Sequence, residues 1–357
     1  MSKRYQVSVL TQLLTQIFER LGVAPDESQQ LTTSLIDADL RGIRSHGVQR
    51  TGMYVKKLRS GQIKPDQSLE VVRNEGAVAV IDGHFGVGQH VAITAMKLAI
   101  EKAQATGVGI VSVRQSNHFG AAGYYARLAS AVGMIGVAMT NTNPLTVPTH
   151  GHDAFLGSNP IAVAVPATPH DFIFDAAMST VSLGKFEMLK QLDRPIPGTW
   201  ALDEHGEVTH DAGRLLQNMN QPQRDGGVLP IGGVGETDAG YKGYGLALIV
   251  ELLTAGLAQG PFSADLGRGQ VVGISHFFMA IDPAWFGDAT AIKQRVSELL
   301  LRLRQLPVNG VSQVSVAGDH EWAAVDVNRQ RGIVLEPATV AMLKRVTDSL
   351  NIKMDLV

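Results

Sequence analysis

Residues 109–123 have the sequence GIVSVRQSNHFGAAG, which contains three structural signals in a row. The first five residues, Gly109–Val113, form a short apolar run that predicts a buried strand. A polar segment then leads to Asn117-His118, and helical spacing follows over residues 122–132. Strand, polar loop and helix in this order are typical of layered α/β proteins, whose functional residues often lie in the loops that follow strands.

The same pattern extends on both sides of this stretch. Further short apolar runs predict strands at Ala77–Ile81, Met134–Met139, Ile161–Val165 and Phe172–Phe174, and helical spacing covers residues 89–106. The later strands are joined by loops rather than helices. Because parallel neighbours need long crossover connections, we expect a mixed sheet and not a purely parallel one.

Helical patterns dominate both ends of the chain. Residues 1–75 read as helical, and amphipathic helices are also predicted over residues 289–304 and 337–349. A short strand is expected between these last two helices, at Val311–Val316, and a buried helix at Tyr244–Leu257. No internal repeat, low-complexity segment or linker is apparent.

Composition excludes several classes of protein. The 357 residues are 45% hydrophobic and 18% charged, which is typical of globular chains, and the formal net charge of −2 favours neither nucleic acid nor an anionic membrane as a partner. The absence of cysteine excludes disulfides and thiolate chemistry within the chain. No segment has the pattern of a signal peptide or a membrane span, so we expect a soluble, cytoplasmic protein.

The glycine fingerprint of common nucleotide-binding proteins is missing. The glycine pairs at 86/88 and 243/245 lack the third glycine, and Gly233-Val234-Gly235 precedes two acidic residues that would repel a pyrophosphate. Another anion site is conceivable where Lys242-Gly243-Tyr244-Gly245 precedes an apolar helix, because free N–H groups at a helix start bind phosphate. A flexible turn with a solvated lysine would explain the same residues.

Ser45-His46-Gly47 and Arg50 form the first group of residues that could carry chemistry. If residues 46–50 are helical, His46 and Arg50 share a face. Arginine binds a carboxylate through two parallel hydrogen bonds, and histidine exchanges a proton near neutral pH. Oxidation of a 2-hydroxy acid needs these two functions side by side. A capping serine with a surface histidine is the alternative interpretation.

Three further polar segments are candidates for a site. His118, in Asn117-His118-Phe119-Gly120, follows a strand and precedes small residues that would let a flat ligand approach, although a buried structural histidine is equally consistent with the pattern. The two Asn-Pro turns at 143–144 and 159–160 suit ribose or carboxamide recognition, and suit ordinary turns as well. His150-x-His152 has no carboxylate-rich companion, so we predict no metal site.

Together, these segments resemble the malate/L-lactate dehydrogenase family, which is unrelated to the Rossmann dehydrogenases. The similarity covers nearly the whole chain, and the matching pieces occur in the family's order: Arg41-Gly42 to Ser45-His46-Gly47, Asn117-His118-Phe119-Gly120, Asn141-Thr142-Asn143-Pro144, Gly157-Ser158-Asn159-Pro160, Asp175-Ala176-Ala177, Gly184-Lys185, Pro197 to Trp200, and Lys242-Gly243-Tyr244-Gly245-Leu246.

The resemblance implies a three-layer α/β/α fold with a mixed, non-Rossmann sheet and a helical domain built from both chain ends. The expected boundaries are residues 1–75 with 289–357 for the helical domain and 76–288 for the sheet-centred, cofactor-binding domain. It also implies a homodimer.

The resemblance further implies reversible hydride transfer between NAD or NADP and C2 of a small 2-hydroxy or 2-keto acid. His46, Ser45 and His118 would be catalytic, with the two histidines competing for the role of proton carrier. Arg50 and Ser158 would bind substrate. The positions expected along the cofactor are His118, Phe119, Gly120, Ala121, Ala122, Thr142, Asp175, Ala176, Ala177, Lys185, Lys242, Gly243, Gly318 and Asp319.

Two departures from the family pattern limit what can be transferred. The usual Thr of the G-T-N-P turn is Ser158, which keeps the hydroxyl. The usual Pro-Gly-Glu with nearby arginines is Ala317-Gly318-Asp319, so the choice between NAD and NADP stays open. Cyclic imine reductases of the family carry Asp where this chain has Lys185. Imine or ureidoglycolate-type oxidoreduction in the same fold, and a non-catalytic nucleotide-binding scaffold, are the alternatives.

Overall fold

A mixed sheet of seven strands lies at the centre of the fold in the computed structural model, which describes residues 3–65, 67–221, 224–267, 272–310 and 313–355. The strands found in these ranges are β1 (Lys3–Tyr5), β2 (Glu70–Glu75), β3 (Val78–Asp82), β4 (Val108–Ser116), β5 (Ile135–Thr140), β6 (Ile161–Val165), β7 (Phe172–Ala176), β8 (Ala201–Leu202), β9 (Gly227–Val228), β10 (Ile274–Ile281) and β11 (Ile333–Leu335).

The order of strands in the central sheet is β2-β3-β4-β10-β5-β6-β7. The pair β3 and β4 is parallel, and the other neighbouring pairs are antiparallel. The prediction of a mixed sheet is therefore confirmed. Strand β10 was missed, although it pairs with both β4 and β5 and joins the two halves of the sheet. Four strands and three helices separate it from β5 along the chain, and local sequence patterns cannot indicate such a distant partner.

Helices flank the sheet and fill both chain ends. They are α1 (Val7–Arg20), α2 (Pro25–Leu40), α3 (Thr51–Arg59), α4 (Gly88–Thr106), α5 (Ala122–Ser130), α6 (Leu183–Gln191), α7 (Ala212–Met219), α8 (Gly240–Glu251), α9 (Ala289–Arg304), α10 (Asp319–Arg331) and α11 (Pro337–Leu350). Helices α4 and α5 bury their apolar side chains against the sheet in one core, which includes Phe278 of β10. Gly109 permits this close packing, because a Cβ there would lie 1.9 Å from the carbonyl oxygen of Ala99.

The two chain ends share a second core. Leu14 of α1 and Leu35 of α2 pack in the same cluster as Ile333 of β11 and Leu343 of α11, and β1 pairs with β11 in antiparallel fashion. Apolar burial of this kind stabilises the association of segments from opposite ends of the sequence. The division of the chain into two domains stays a prediction.

Several local predictions were wrong. Strands β1 and β2 lie in the N-terminal part of the chain that was expected to be helical. Residues 313–316 of the strand expected at Val311–Val316 are not in a strand, while residues 311–312 lie outside the described ranges. Helix α10 was missed, because Val325 is its one buried residue and its sequence therefore has no apolar stripe. Helix α8 begins at Gly240, so Lys242 and Gly243 lie within it and not before it.

A buried carboxyl group holds the turn that follows α2. Two short 3₁₀ helices, Arg44–His46 and Val48–Arg50, connect α2 to α3. The backbone N–H of Val48 donates to Oδ2 of Asp39 at 2.7 Å. A Cβ at position 47 would lie 2.2 Å from this carboxyl group, so only glycine fits between the two 3₁₀ helices. Burial raises the pKa of Asp39 from 3.8 to about 7, and the Val48 N–H and the charge of Arg44 oppose this rise.

Replacement of Asp39 by asparagine should make this turn more stable at alkaline pH. Because the pKa is raised in the folded state, the carboxyl group stabilises the fold when protonated, and this contribution is lost as the pH rises from about 4 to about 7. Asp39→Asn keeps an oxygen acceptor for Val48 and cannot ionise. We compare the free energies of unfolding of Asp39→Asn and the wild type by urea denaturation. The difference between them should shift by roughly 2–3 kcal/mol in favour of the variant when the pH is raised from 5 to 8.

Asp39→Ala provides the control, since it leaves the Val48 N–H without its acceptor. We expect it to be destabilised by roughly 1–3 kcal/mol at pH 5, where the wild-type carboxyl group is still mostly protonated. A difference between Asp39→Asn and the wild type that does not change with pH would contradict the proposed titration of Asp39.

Candidate active site

A cavity of about 1840 Å³ brings together most of the residues singled out from the sequence. Its wall is formed by the turn after α2, the first turns of α3, the loops after β4 and β5, part of β7, and the segment before α10. The predicted residues that line it are Ser45, His46, Arg50, His118, Phe119, Gly120, Ala121, Ala122, Thr142, Ser158, Asp175, Ala177 and Gly318. The cavity is therefore assembled from segments that are far apart in the sequence.

Ser45, His46 and Arg50 are linked by the backbone turn that carries them. Oγ of Ser45 lies 2.9 Å from Nδ1 of His46, and Nε of Arg50 donates to the carbonyl oxygen of Ser45. The other two nitrogens of the Arg50 guanidinium have no hydrogen-bond partner among the described residues. These two nitrogens form the fork that recognises a carboxylate through two parallel bonds.

A chain of hydrogen bonds fixes His118 through Nδ1 of its ring. Nε2 of Gln89 donates to the Tyr54 hydroxyl, which lies 2.7 Å from Nδ1 of His118. The backbone N–H of Gly120 also points at Nδ1, at 3.3 Å. Because a backbone N–H can only donate, Nδ1 is an acceptor and the neutral ring carries its proton on Nε2. His118 is therefore arranged as a hydrogen-bond donor through Nε2.

The two imidazoles lie face to face and are both neutral near pH 7. Their ring centroids are 5.7 Å apart and their planes differ by 4°. Burial and the charge of Arg50 lower the pKa of His46 to about 4. The pKa of His118 is held well below its ordinary value, first by burial and then by the charges of His46, Lys57, Arg50 and His276. Burial penalises the charged form of each ring and the nearby positive charges repel a proton, so both effects favour the neutral imidazoles.

Three side chains on one face of the chain around α3 reach the cavity. Arg50, Met53 and Lys57 line it, at spacings of three and four residues, and Tyr54 supports His118 from the buried side of the same helix. Lys57 and Tyr54 were not singled out from the sequence. The spacing from Arg50 was a usable signal, since residues three, four and seven positions apart share a helix face.

Hydroxyl and amide groups form another part of the wall. Oγ1 of Thr142 lies 3.3 Å from Oγ of Ser158 and accepts the backbone N–H of Ser158 at 2.9 Å. The side chain of Asn159, in contrast, is turned away from ligands: its Nδ2 donates to the buried carboxylate of Glu251, which also accepts from Ser263. The Asn-Pro turn at 159–160 thus serves to hold the loop, while the hydroxyl of Ser158 lines the cavity next to that of Thr142.

A cluster of charges around Arg127 was not predicted from the sequence. Arg127 contacts Asp37, which also accepts from Nε of Arg41 at 3.2 Å. Asp175 faces the cavity nearby and accepts the backbone N–H of Gly123 at 2.7 Å. Although its carboxylate is open to the cavity, the surrounding protein removes most of its hydration, which raises its pKa to about 6 against the opposing effects of Gly123 and Arg127.

Five residues expected along the cofactor do not line the cavity of a single chain: Ala176, Lys185, Lys242, Gly243 and Asp319. Gly243 packs so closely that a Cβ would lie 2.2 Å from the carbonyl oxygen of Ile231. Lys242 is exposed and lies over the ring of Tyr241. Asp319 forms two hydrogen bonds with Arg304. Within one chain, Gly243 and Asp319 have structural contacts of their own.

The cavity fits a dinucleotide together with a small acid. Its volume exceeds the roughly 300–1,000 Å³ that is typical of pockets for single drug-sized ligands. The backbone at Gly120–Ala122 carries little side-chain bulk, and Asp175, Thr142 and Arg127 offer acceptors, hydroxyls and positive charge for ribose and phosphate groups.

Within the described ranges, no three His, Asp or Glu side chains are arranged to hold a metal ion. No helix in these ranges is long and apolar enough to cross a membrane.

Comparison with known proteins identifies the family. The family model described as malate/L-lactate dehydrogenase matches residues 5–344. The chain is 37% identical to a malate dehydrogenase of Pyrococcus abyssi, over 96% of this chain and 91% of that protein. It is 34% identical to a malate/(S)-sulfolactate dehydrogenase of Methanothermus fervidus, over 96% of each.

A solved structure has the same fold over its whole length. The crystal structure of malate dehydrogenase from Entamoeba histolytica has a TM-score of 0.94 with this chain at 30% sequence identity, and each chain is covered to 99%. Together with the family match over nearly all residues, these similarities establish that the chain belongs to the malate/L-lactate dehydrogenase family.

Proposed function

We propose that this protein is an NAD(P)-dependent dehydrogenase that interconverts a small 2-hydroxy acid and the corresponding 2-keto acid. The observation that carries the proposal is the arrangement of a carboxylate-binding guanidinium and two neutral imidazoles in one cavity. Oxidation of a 2-hydroxy acid needs an anchor for the carboxylate and a base for the neighbouring hydroxyl, and Arg50 and His46 supply them. Curated relatives depend on either NAD+ or NADP+.

The two histidines have different roles in this proposal. If Oγ of Ser45 accepts the proton on Nδ1 of His46, then Nε2 of His46 has a free lone pair and can remove the hydroxyl proton. His118 carries its proton on Nε2 and donates a hydrogen bond to the same oxygen, which fixes its position and stabilises the developing carbonyl. A bound NAD(P) would supply the hydride acceptor for C2. Arg50 keeps C2 in a fixed orientation throughout.

The reverse reaction needs a protonated His46, although its pKa in the free protein is only about 4. The carboxylate of a bound keto acid neutralises part of the charge of Arg50, which is one of the two causes of that low pKa. Binding of the keto acid therefore raises the pKa of His46 and prepares it to protonate the carbonyl oxygen.

The proposed function is tested by oxidation of NADH and NADPH with a panel of 2-keto acids and one cyclic imine, followed at the nicotinamide absorbance. We expect turnover of at least one 2-keto acid and a loss of about 100-fold in kcat/KM in Arg50→Gln, because charged hydrogen bonds to the carboxylate are removed. Arg44→Gln is the matched control, since Arg44 is exposed in the same turn and pairs with Glu336. Binding of NADH without turnover of any 2-keto acid would favour a non-catalytic scaffold.

The roles of the histidines are tested by two substitutions. His46→Ala should lower kcat by about 10²- to 10⁴-fold and abolish the pH dependence that the base imposes. His118→Asn keeps an N–H donor near the cavity and should lose only about tenfold, since one neutral hydrogen bond is weakened. The pH profiles of kcat for both variants show whether His46 or His118 is the base. A His46→Ala enzyme with near-normal turnover, together with an inactive His118→Asn enzyme, would assign the base to His118.

We further propose that the protein is a homodimer that buries one face of α8 and the segment after it. Leu246, Ile249, Leu252, Leu257 and Phe262 are large apolar side chains on this segment, and each is more than 40% exposed in the single chain. An exposed apolar surface of this extent is unusual for a monomer, and a second copy can cover it through a two-fold axis.

Light scattering after size-exclusion chromatography measures the oligomeric state. We expect twice the mass of one chain for the wild type and the mass of one chain for Ile249→Glu, since the added charge would be buried in the dimer. Val132→Glu is the control, because Val132 is 58% exposed and lies outside this segment. A monomeric wild type would contradict the proposal. The cytoplasmic location and the lack of metal, nucleic-acid and membrane partners stay predictions.

A further inference from the structure

A buried histidine that does not line the cavity lies between the two strands that lead to it. His276 is on β10, opposite Val113 of β4 and Thr140 of β5, and it is fully buried. Burial lowers the pKa of His276 to about 3, against a weaker opposing effect of the Asn117 backbone, so the imidazole is neutral. Its Nε2 makes no hydrogen bond within the described ranges. A phenylalanine or leucine would fill this space at a lower free-energy cost, so the histidine calls for an explanation from its contacts.

The ring of His276 stacks on that of Phe119, in the loop that carries His118. The two ring centroids are 4.5 Å apart and the planes differ by 3°. The carbonyl oxygen of Phe119 accepts from the Tyr125 hydroxyl. Phe119 precedes Gly120, whose backbone N–H points at Nδ1 of His118 at 3.3 Å. Because Phe119 lies between the two residues that this contact joins, its position decides whether the Gly120 N–H reaches the imidazole of His118.

The same imidazole also contacts the end of the neighbouring strand. Nδ1 of His276 lies 2.8 Å from Oγ1 of Thr140, the last residue of β5. The hydroxyl of Thr140 can also donate to the carbonyl oxygens of Asn141 and Ser275, at 2.9 Å and 3.1 Å. Two positions after Thr140, Thr142 lines the cavity. The contact with His276 therefore helps to fix the point from which the Thr142 loop leaves the sheet.

We propose that His276 is a positioning residue for the dehydrogenase reaction, since one ring holds both the loop of His118 and the end of β5 that leads to Thr142. This inference rests on the proposed function of the cavity. Stacking on Phe119 keeps His118 where its Nε2 can donate to the reacting oxygen, which affects the chemical step. The contact with Thr140 keeps the hydroxyl of Thr142 in its place in the cavity wall, which affects cofactor binding.

Two substitutions separate the two contacts. His276→Phe keeps an aromatic ring for stacking and removes Nδ1, so the KM for the cofactor should rise by about tenfold while kcat stays within about threefold of the wild type. His276→Asn keeps a polar atom near the position of Nδ1 and removes the ring. Its kcat should fall by about tenfold, with the cofactor KM within about threefold of the wild type. Both constants are measured by oxidation of NADH or NADPH with the 2-keto acid that the wild type reduces fastest.

The same contacts can be removed from their other ends. Thr140→Val should reproduce the higher cofactor KM of His276→Phe, and the double variant should lose little more than either single one, because both substitutions remove one interaction. Phe119→Leu should reproduce the lower kcat of His276→Asn. These variants test the proposal even if a substitution at position 276 prevents folding.

Phe277→Leu is the matched control for general destabilisation. Phe277 is buried on the same strand, and its side chain points to the opposite face of the sheet from that of His276. Urea denaturation should show a lower free energy of unfolding than in the wild type, with kcat and the cofactor KM unchanged. If both His276 variants behave like this control, or lose kcat and cofactor affinity in equal proportion, the proposal is overturned and His276 serves folding alone.

The remaining outcomes distinguish this inference from the proposed function. A reversed result, with kcat lowered in His276→Phe and the cofactor KM raised in His276→Asn, would overturn the positioning roles and leave the dehydrogenase reaction intact. A wild type that turns over no 2-keto acid with either cofactor would overturn both.

Discussion

The antiparallel pairing of β10 with β4 on one side and β5 on the other is the constraint on which the site depends. In this register, Ile274 lies opposite Ser116 of β4, and His276 lies opposite Thr140 of β5. The loops that carry His118 and Thr142 therefore leave the sheet side by side, at the end where β10 begins. Because the ladder fixes both strands to one backbone, the two loops cannot move apart without breaking buried hydrogen bonds, and their side chains face one cavity.

Electrostatics within that cavity are unbalanced in the free protein. Burial lowers the pKa of both imidazoles because it penalises the charged form of each ring, and the charge of Arg50, with that of Lys57 at His118, adds to the effect. Around Arg127, the carboxylate of Asp37 supplies a counter-charge, which lowers the free-energy cost of burying the guanidinium. The two ends of one cavity thus differ in kind. At one end the carboxylate of Asp37 offsets part of the positive charge of Arg41 and Arg127, whereas at the other end no carboxylate of the described residues acts on the two imidazoles.

The sequence predicted the local features of this protein better than its long-range ones. Apolar runs identified β3, β4, β5, β6 and β7, because each of these strands is signalled by its own residues. The position of β10 could not be read in this way, since its place in the sheet is decided by partners that lie far away in the chain. Helix α10 has almost no buried face and therefore no periodic signal. Residue patterns and the family resemblance both indicated the histidines and Arg50. Lys57 shares a helix face with Arg50, a spacing that the sequence already contained, whereas the contact of Tyr54 with His118 depends on the placement of α3 against the loop after β4.

The coupling between charge and protonation has a consequence for the direction of catalysis. A ligand that raises the pKa of His46 must bind more tightly to the protonated enzyme, because linkage between two binding events is reciprocal. Keto acids need that proton for reduction, whereas hydroxy acids need the neutral ring for oxidation. In the free protein, burial and the charge of Arg50 keep His46 neutral. A carboxylate bound at Arg50 offsets that charge for the hydroxy acid and the keto acid alike, which moves the pKa of His46 toward neutrality, where the ring can accept a proton in one direction and donate it in the other. In this way one histidine can serve both directions near neutral pH without a carboxylate partner of its own.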